Sequence, residues 1–451
     1  MIPAMTDLNR AAAALHAKLR GSNIEFTRVA TDTRSIQPGD LFVALKGERF
    51  DGHVYAQQAL DQGAAAVMIA AAAECTAQPA IVVADTRLAL GQLAAWWRDQ
   101  MPAQIVGVTG SNGKTTVKEM LAAILRVASS DDAVLATAGN FNNDIGLPLT
   151  LLKLRPQHRF GVIEMGMNHA GEIDYLTRLA RPDVALVNNA GAAHVGMLGS
   201  VEAVARAKGE IFAGLSEHGV AVINADDAHA ALWRALAGNK TMLDFGLTQP
   251  AAVQGRYHAA SNAVDVMTAN VCFTPHLQVA GEHNARNALA ATAAALALGI
   301  NSDAIVRGLA AFRGVAGRMQ NKPALHGATL IDDSYNANPD SVRAALAVLA
   351  AMPGVKIMVL GDMAELGDDT EALHAEIGTA ARSAGVDYLY ALGDLSRAAV
   401  SAFGTGAMHF ERIEELLAEL ENRLAPEVTV LVKGSRFMQM ERVVKSFEVR
   451  I

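Results

Sequence analysis

Cysteine is almost absent from this 451-residue chain: only Cys75 and Cys272 occur, far apart and without Cys or His neighbours at metal-ligand spacing. That excludes a disulfide framework and a structural zinc site, and it fits a reducing compartment. The opening residues carry Asp7 and Arg10 and no long apolar run, so no secretory signal is read there and a cytoplasmic location is expected. The alanine-rich stretches make no membrane span either. Asp61 and Glu74 bracket one of them, and 288–300 falls short of the roughly 20 residues needed to cross a bilayer. An excess of positive charge is also missing. The formal net charge of −8 argues against non-specific binding to nucleic acid or to an anionic membrane surface. Anionic ligands must therefore be met by local groups.

What is present is apolar material for buried sheets, with 51% hydrophobic and 19% charged residues, so the chain is expected to fold throughout. A prior of roughly 150 residues per domain predicts about three domains. The first unit holds strand-like runs at 40–45, 65–69 and 80–83 and a helix over 54–62, ending in a helix that carries Trp96 and Trp97. Met101-Pro102 punctuates the chain there, giving a first domain over 1–103. Apolar strands at 104–109, 160–163, 183–187 and 219–223 then alternate with helical stretches, the pattern of a doubly wound parallel sheet over 104–317. The alternation resumes at 328–331, 355–360, 388–392 and 428–432, giving a third unit over 318–451.

The strongest local signal follows the strand at 104–109. Thr109, Gly110, Ser111, Asn112, Gly113, Lys114, Thr115 and Thr116 form a glycine-rich turn that opens a helix. Glycines let successive backbone N–H groups converge on phosphate oxygens, the helix start adds its positive dipole end, and Lys114 supplies a mobile charge. Thr115 is placed to reach Mg²⁺. Val108 stands where the strict phosphate-loop pattern has its first glycine, so the identification rests on the strand and helix context.

Glu164 ends the next apolar strand, at the edge where open α/β sheets bind ligands; it reads either as a magnesium ligand or as a capping acid. His194 lies beyond a further strand, and Lys208 alone reads as a surface helix lysine. Two polar clusters stand out, 281–287 with Asn284 and Asn287 at a helix entry and 332–339 with Asp333 and Asn338 after a strand. Helix capping and phosphate binding are compatible there, because orphan N–H groups serve both.

Taken in order, the Thr109–Thr116 loop, Glu164, His194, Lys208, Asn284 with Asn287, Arg318 and Asp333 resemble the Mur ligase family over nearly the whole chain. The segments 139–143, 333–339 and 360–367 are similar to those of members that join D-alanyl-D-alanine to UDP-N-acetylmuramoyl-tripeptide, and the Asp-Asn-Pro-Arg signature of the diaminopimelate-adding relatives is absent. The resemblance implies an α/β protein of three domains: a small N-terminal UDP-binding unit, a central doubly wound P-loop ATPase-like sheet and a C-terminal Rossmann-like unit. It further implies ATP on Lys114 and its loop, one Mg²⁺ on Thr115 and Glu164, and a second on His194 with a carbamylated Lys208. Asn284 and Asn287 would lie near the base, with Arg318 and Asp333 closing over ATP. Thr33, Arg34, Ser35, Lys46, Gly47, Asp51 and His53 resemble the UDP-sugar site, and Asn140, Asn143 and Asn338 are candidates for the dipeptide. A monomer is expected. Two rivals stay open: a ligase of the same superfamily that adds another amino acid or adds glutamate to folate, and a phosphate-loop switch or transport ATPase, which would need no UDP-sugar domain.

Overall fold

The computed structural model describes residues 4–449; the first three residues of the amino-terminal segment and the last two lie outside the described residues. Sheets of five, nine and six strands follow one another along the chain, with a two-stranded ribbon, Thr6–Asp7 against Glu25–Phe26, beside the first.

The nine-stranded sheet positions the site. Val134–Ala136, Phe160–Glu164, Gln104–Thr109, Val184–Val187, Val220–Asn224, Thr241–Gly246 and Val253–His258 lie side by side and run parallel. Ala263–Met267 and Cys272–Phe273 extend the edge antiparallel. The interior strands are apolar along most of their length, with polar residues at their ends, because both faces are covered: one by the phosphate-loop helix Lys114–Ala128 and the helix Glu282–Ala297, the other by Glu172–Ala180 and Val201–Gly209. The alanines of 285–295 are buried, so their enrichment reflects close helix packing. The strands at 241–267 carry no uniform apolar run. They lie toward the sheet edge with side chains such as Arg256, His258 and Met267 exposed, which hides them from a search for buried strands.

The first sheet orders Lys18–Arg20, Ala80–Val83, Ala66–Ala70, Asp40–Val43 and Arg28–Ala30, parallel except for Lys18–Arg20. Strand 40–45 is shorter than its apolar run, and the helix expected over 54–62 begins as a 3₁₀ turn, Gly52–Tyr55, because the Asp51 side chain accepts from His53 N before Ala56–Asp61 becomes α-helical. The helix Thr86–Asp99, capped by Asp85, docks on the central unit through Leu90, Leu93 and Trp97, and the Trp97 Nε1–H donates to Leu154 O at 3.0 Å. Each such side chain contributes roughly 1.5–3 kcal/mol on burial. The first and second sheets thus share one continuous apolar cluster.

In the third sheet Thr329–Asp333, Val428–Lys433, Val355–Gly361, Tyr388–Leu392 and Ala407–Phe410 run parallel, with Gln320–Pro323 antiparallel at one edge and apolar clusters on both faces. Among the described residues no helix is long and apolar enough to cross a membrane.

Candidate active site

The carboxyl ends of the central and third sheets face one another across a cleft of about 1000 Å³. Crevices at that end of an open α/β sheet are where such folds bind ligands, because loops and helix starts converge there.

The phosphate loop forms one wall. Gly113, at φ 79°, ends the loop and a Cβ on it would collide with Asn188 and Asn287, so only glycine brings the helix start this close to its neighbours. The Lys114 ammonium donates to Gly110 O at 2.6 Å and Ser111 O at 3.4 Å, lying back on its own loop, and burial pushes its pKa down against the pull of Glu164. Thr115 Oγ1 donates to Glu164 Oε2 at 2.9 Å, and Asn142 Nδ2 donates to Glu164 Oε1 at 2.8 Å. The Glu164 amide donates to Thr137 Oγ1 at 3.0 Å, so the carboxylate is aimed by three neighbouring elements.

An asparagine relay stabilises the loop from beneath. Asn188 Nδ2 donates to Asn112 O at 3.0 Å and Asn287 Oδ1 at 2.9 Å, and Asn224 Nδ2 donates to Asn188 O at 2.8 Å. Asn284 and Asn287 line the cleft; Asn284 Nδ2 donates to Ala280 O at the start of its own helix, while Asn287 Oδ1, through Asn188, links the helix Glu282–Ala297 to the phosphate loop.

The opposite wall comes from the third sheet. Asp333 is buried at a strand end; one oxygen accepts from Lys433 Nζ and the other from Met319 N at 3.2 Å, which fixes the segment carrying Arg318. Burial pushes the Asp333 carboxyl up, opposed by Lys433 and Arg318. The Arg318 guanidinium stacks 4.2 Å from the Tyr335 ring. Asn338 caps the helix Pro339–Ala350 and donates from Nδ2 to Asn112 Oδ1 at 2.8 Å, joining the two walls over the phosphate loop.

Hard oxygen donors of the kind Mg²⁺ takes, the Thr115 hydroxyl and the Glu164 carboxylate, stand together within hydrogen-bond reach. Among the described residues no group of three or more His, Cys, Asp or Glu side chains makes a cage. An ion held by one or two carboxylates plus substrate phosphates needs none. His194 lines the same cleft with φ 64°. Lys208 is not the surface lysine its local sequence suggests: it is buried and is not among the residues lining the cleft, has no hydrogen-bond or salt-bridge partner among the described residues, and burial, then Lys114, pushes its ammonium well below the usual range.

Not every expected site residue gathers here. Thr33, Arg34, Ser35, Lys46, Gly47, Asp51 and His53 lie on the first sheet, outside the cleft. Arg34 is exposed and paired with Asp32 at 2.6 Å, while the two ring nitrogens of His53 meet Asp51 and the Ala70 amide, which spends the ring on its own loop. Asn140 lines the cleft, whereas Asn143 Oδ1 accepts from Ile145 N and Gly146 N in the turn that leads into the helix Gly146–Leu151. Lys433 went unread in the sequence although its signal, a charged residue closing an apolar strand, is the one that singled out Glu164.

Asp226 is a second unread element. Burial alone would raise its pKa, but the amides of Gln249, Leu247 and Thr248 and the Thr248 hydroxyl hold it at about 2. Its side chain is 6% exposed and also accepts from Arg286 Nε at 3.2 Å, next to the cleft. A folded pKa below the unfolded one stabilises fully above about pH 4–5 and fades as the pH falls toward 2. Asp226→Asn is therefore expected to cost about 2 kcal/mol at pH 7, read as roughly 30-fold faster hydrogen exchange at the three loop amides. The difference from the parent narrows below pH 4; a difference that is constant with pH rules out the carboxylate as its source.

Three domain models match in succession: the Mur ligase family catalytic domain over 25–98, the Mur ligase middle domain over 108–295 and the Mur ligase glutamate ligase domain over 317–436. A relative from Escherichia coli strain K12, UDP-N-acetylmuramoyl-tripeptide–D-alanyl-D-alanine ligase, is 45% identical with 96% of each chain covered. Among solved structures, MurF from Acinetobacter baumannii superposes with a TM-score of 0.90 at 37% identity, covering 98% of both chains. MurF ligase from Thermotoga maritima in complex with ADP gives 0.83 at 29% identity, covering 93% of this chain and 96% of the other. Full-length likeness at these identities, on a fold whose cleft is built around a phosphate loop, means that the chain belongs to the Mur ligase family.

Proposed function

We propose that the protein joins D-alanyl-D-alanine to the terminal carboxylate of UDP-N-acetylmuramoyl-tripeptide, with ATP converted to ADP and phosphate, in cytoplasmic peptidoglycan precursor synthesis. The observation that carries this reading is the cleft itself: a phosphate loop and Glu164 on one wall, Arg318, Asp333 and Lys433 on the other. A carboxylate is a poor acylating agent. Transfer of the γ-phosphoryl to it forms an acyl phosphate, and the dipeptide's amine then displaces phosphate to form the amide.

The chain's own residues act by positioning and charge compensation. The loop amides and Lys114 hold the ATP phosphates; on binding, Lys114 exchanges its loop carbonyls for phosphate oxygens. Thr115 and Glu164 would hold one Mg²⁺, and His194 with carbamylated Lys208 a second. These ions would supply Lewis-acid neutralisation of the transferring phosphoryl and the approaching carboxylate. Asn284 and Asn287 support the nucleotide end, and Arg318 with Asp333 closes the opposite side. Thr33, Arg34, Ser35, Lys46, Gly47, Asp51 and His53 form the UDP-sugar site on the first sheet, with the exposed Arg34 available to the diphosphate; the pair with Asp32 must loosen for that contact. Asn140 and Asn338 suit the dipeptide better than Asn143, whose side chain is already used. We read the division as 1–103, 104–317 and 318–451, and the working unit as a monomer.

Incubation with ATP, Mg²⁺, D-alanyl-D-alanine and the diaminopimelate or lysine form of the tripeptide tests the reading. The expected result is a UDP-linked pentapeptide with stoichiometric phosphate, and a hydroxamate when hydroxylamine replaces the dipeptide. Phosphate release that needs neither nucleotide-peptide nor amine overturns it in favour of a phosphate-loop switch or transport ATPase.

A further inference from the structure

Glu365 belongs to a loop of the third domain that reaches the His194 turn of the central one. Its Oε2 lies 2.9 Å from His194 Nδ1, and its backbone carbonyl accepts from Gly196 N at 3.2 Å. Both residues of this contact have left-handed backbones, φ 64° at His194 and 63° at Glu365. Each such conformation costs a residue with a Cβ about 1–3 kcal/mol and persists only where its surroundings impose it. The approach leaves no spare room: a Cβ on Gly196 would lie 2.9 Å from Gly367 N and 3.2 Å from Glu365 O.

The loop is held from behind by its own domain. Met363 N donates to His374 Nε2 at 3.0 Å, while His374 donates from Nδ1 to Thr370 O at 2.7 Å. Ala364 N donates to Ser435 Oγ at 2.8 Å. The Glu365 carboxylate therefore travels with the third domain as part of a braced arm. On the facing side His194 Nδ1 is buried and has no hydrogen-bond partner among the described residues; the Glu365 carboxylate 2.9 Å away is a close charge contact beside it, which leaves Nε2 as the nitrogen available to the cleft. A carboxylate beside one imidazole nitrogen selects the tautomer and the ring orientation that leave the other nitrogen free to bind.

We propose that Glu365 is a positioning residue for the ligation reaction, delivered by the third domain: its carboxylate takes the Nδ1 side of His194 and holds the imidazole with Nε2 presented to the metal and phosphate end of the cleft. The inference rests on the ligase reading above and adds a requirement to it. Binding of nucleotide to the phosphate loop does not complete the site; the histidine is set only when the third domain is in place. Two other contacts, Asn338 with Asn112 and Asp340 Oδ2 with Ala192 N at 3.1 Å, bring the domains together without touching His194.

The test is a double-mutant cycle on the full-length protein between Glu365→Ala and His194→Ala, read by ligation kinetics and by Mn²⁺ titration in the presence of ADP with paramagnetic resonance detection of free Mn²⁺. Glu365→Ala is expected to lower kcat and to weaken Mn²⁺ binding about 10- to 100-fold, with the KM for ATP unchanged. In the His194→Ala background it should cost nothing further, since the two residues act as one unit. Glu365→Gln keeps the length and one acceptor oxygen and should recover part of kcat; it also serves in the cycle if the alanine variant does not fold. Wild-type Mn²⁺ binding in Glu365→Ala, or an equal loss with and without His194, overturns the proposal. If the unmodified protein does not ligate at all, the ligase reading fails, while the Mn²⁺ arm still judges Glu365.

Discussion

Lys114→Ala is expected to reduce ligation about 10³-fold or more while leaving the fold intact, because a single cation facing the transferring phosphoryl commonly contributes that much. The expectation follows from what the ammonium touches. In this structure its partners are the carbonyls of Gly110 and Ser111, both in the loop it stands on, and the helix Lys114–Ala128 is held by Val117, Leu121, Ile124 and Leu125 against the sheet. Removing the side chain takes away charge, not core. The Asn188 relay continues to brace the loop, so the melting curve should barely move. Lys114→Arg should not rescue, since the guanidinium is longer and planar and the loop is closed around a point charge. Near-normal turnover in Lys114→Ala, with unchanged melting of both proteins, would remove the phosphate-loop assignment.

The second large effect is expected at Lys208. A buried ammonium without an anionic partner is costly, and Lys114 nearby makes it worse, which is why its pKa is driven down. The depressed pKa enlarges the share of free amine, the form that attacks carbon dioxide. The amine nitrogen bonds to the carbon, a proton leaves, and the product is an anionic carbamate with two hard oxygens suited to Mg²⁺. Such a modification would turn a repulsive charge into a ligand. Lys208→Ala should then lower kcat about 10²-fold or more, and short carboxylic acids in the buffer should restore part of it by supplying the missing oxygens. Carbon-13 bicarbonate NMR of the active protein should display a carbamate signal that disappears in the variant. An unmodified lysine in high-resolution density of the active form would falsify the carbamate and leave Lys208 as a desolvated base near the phosphates.

Much of the architecture was legible because buried parallel strands carry a simple signal. Gln104–Thr109, Ala80–Val83 and Tyr388–Leu392 begin and end where the apolar runs do, since both faces of those strands are covered. The strands at 241–267 escaped because an edge strand has one wet face, and its charged residues break the run. The strand, tight turn and helix start of the 109–116 loop were legible despite Val108, because the turn needs Gly113 and the helix start more than it needs the first glycine of the strict pattern.

The candidate site was only half visible, and the division has a physical cause. The sequence by itself determined the order of strands and helices, the phosphate loop and the acid that ends the neighbouring strand, because these depend on side-chain periodicity and on backbone chemistry within a few residues. Only the tertiary structure decided that Lys433 pairs with Asp333, that Asp226 organises the 247–249 loop, that Asn188 holds the Asn112 carbonyl and that Glu365 meets His194. Those partners are far apart along the chain and belong to different strands or different domains. No local pattern encodes such a pairing; it arises from strand order, which brings Lys433 beside Asp333 and the 247–249 loop beside Asp226, and from the docking of the third sheet against the second, which brings Glu365 to His194.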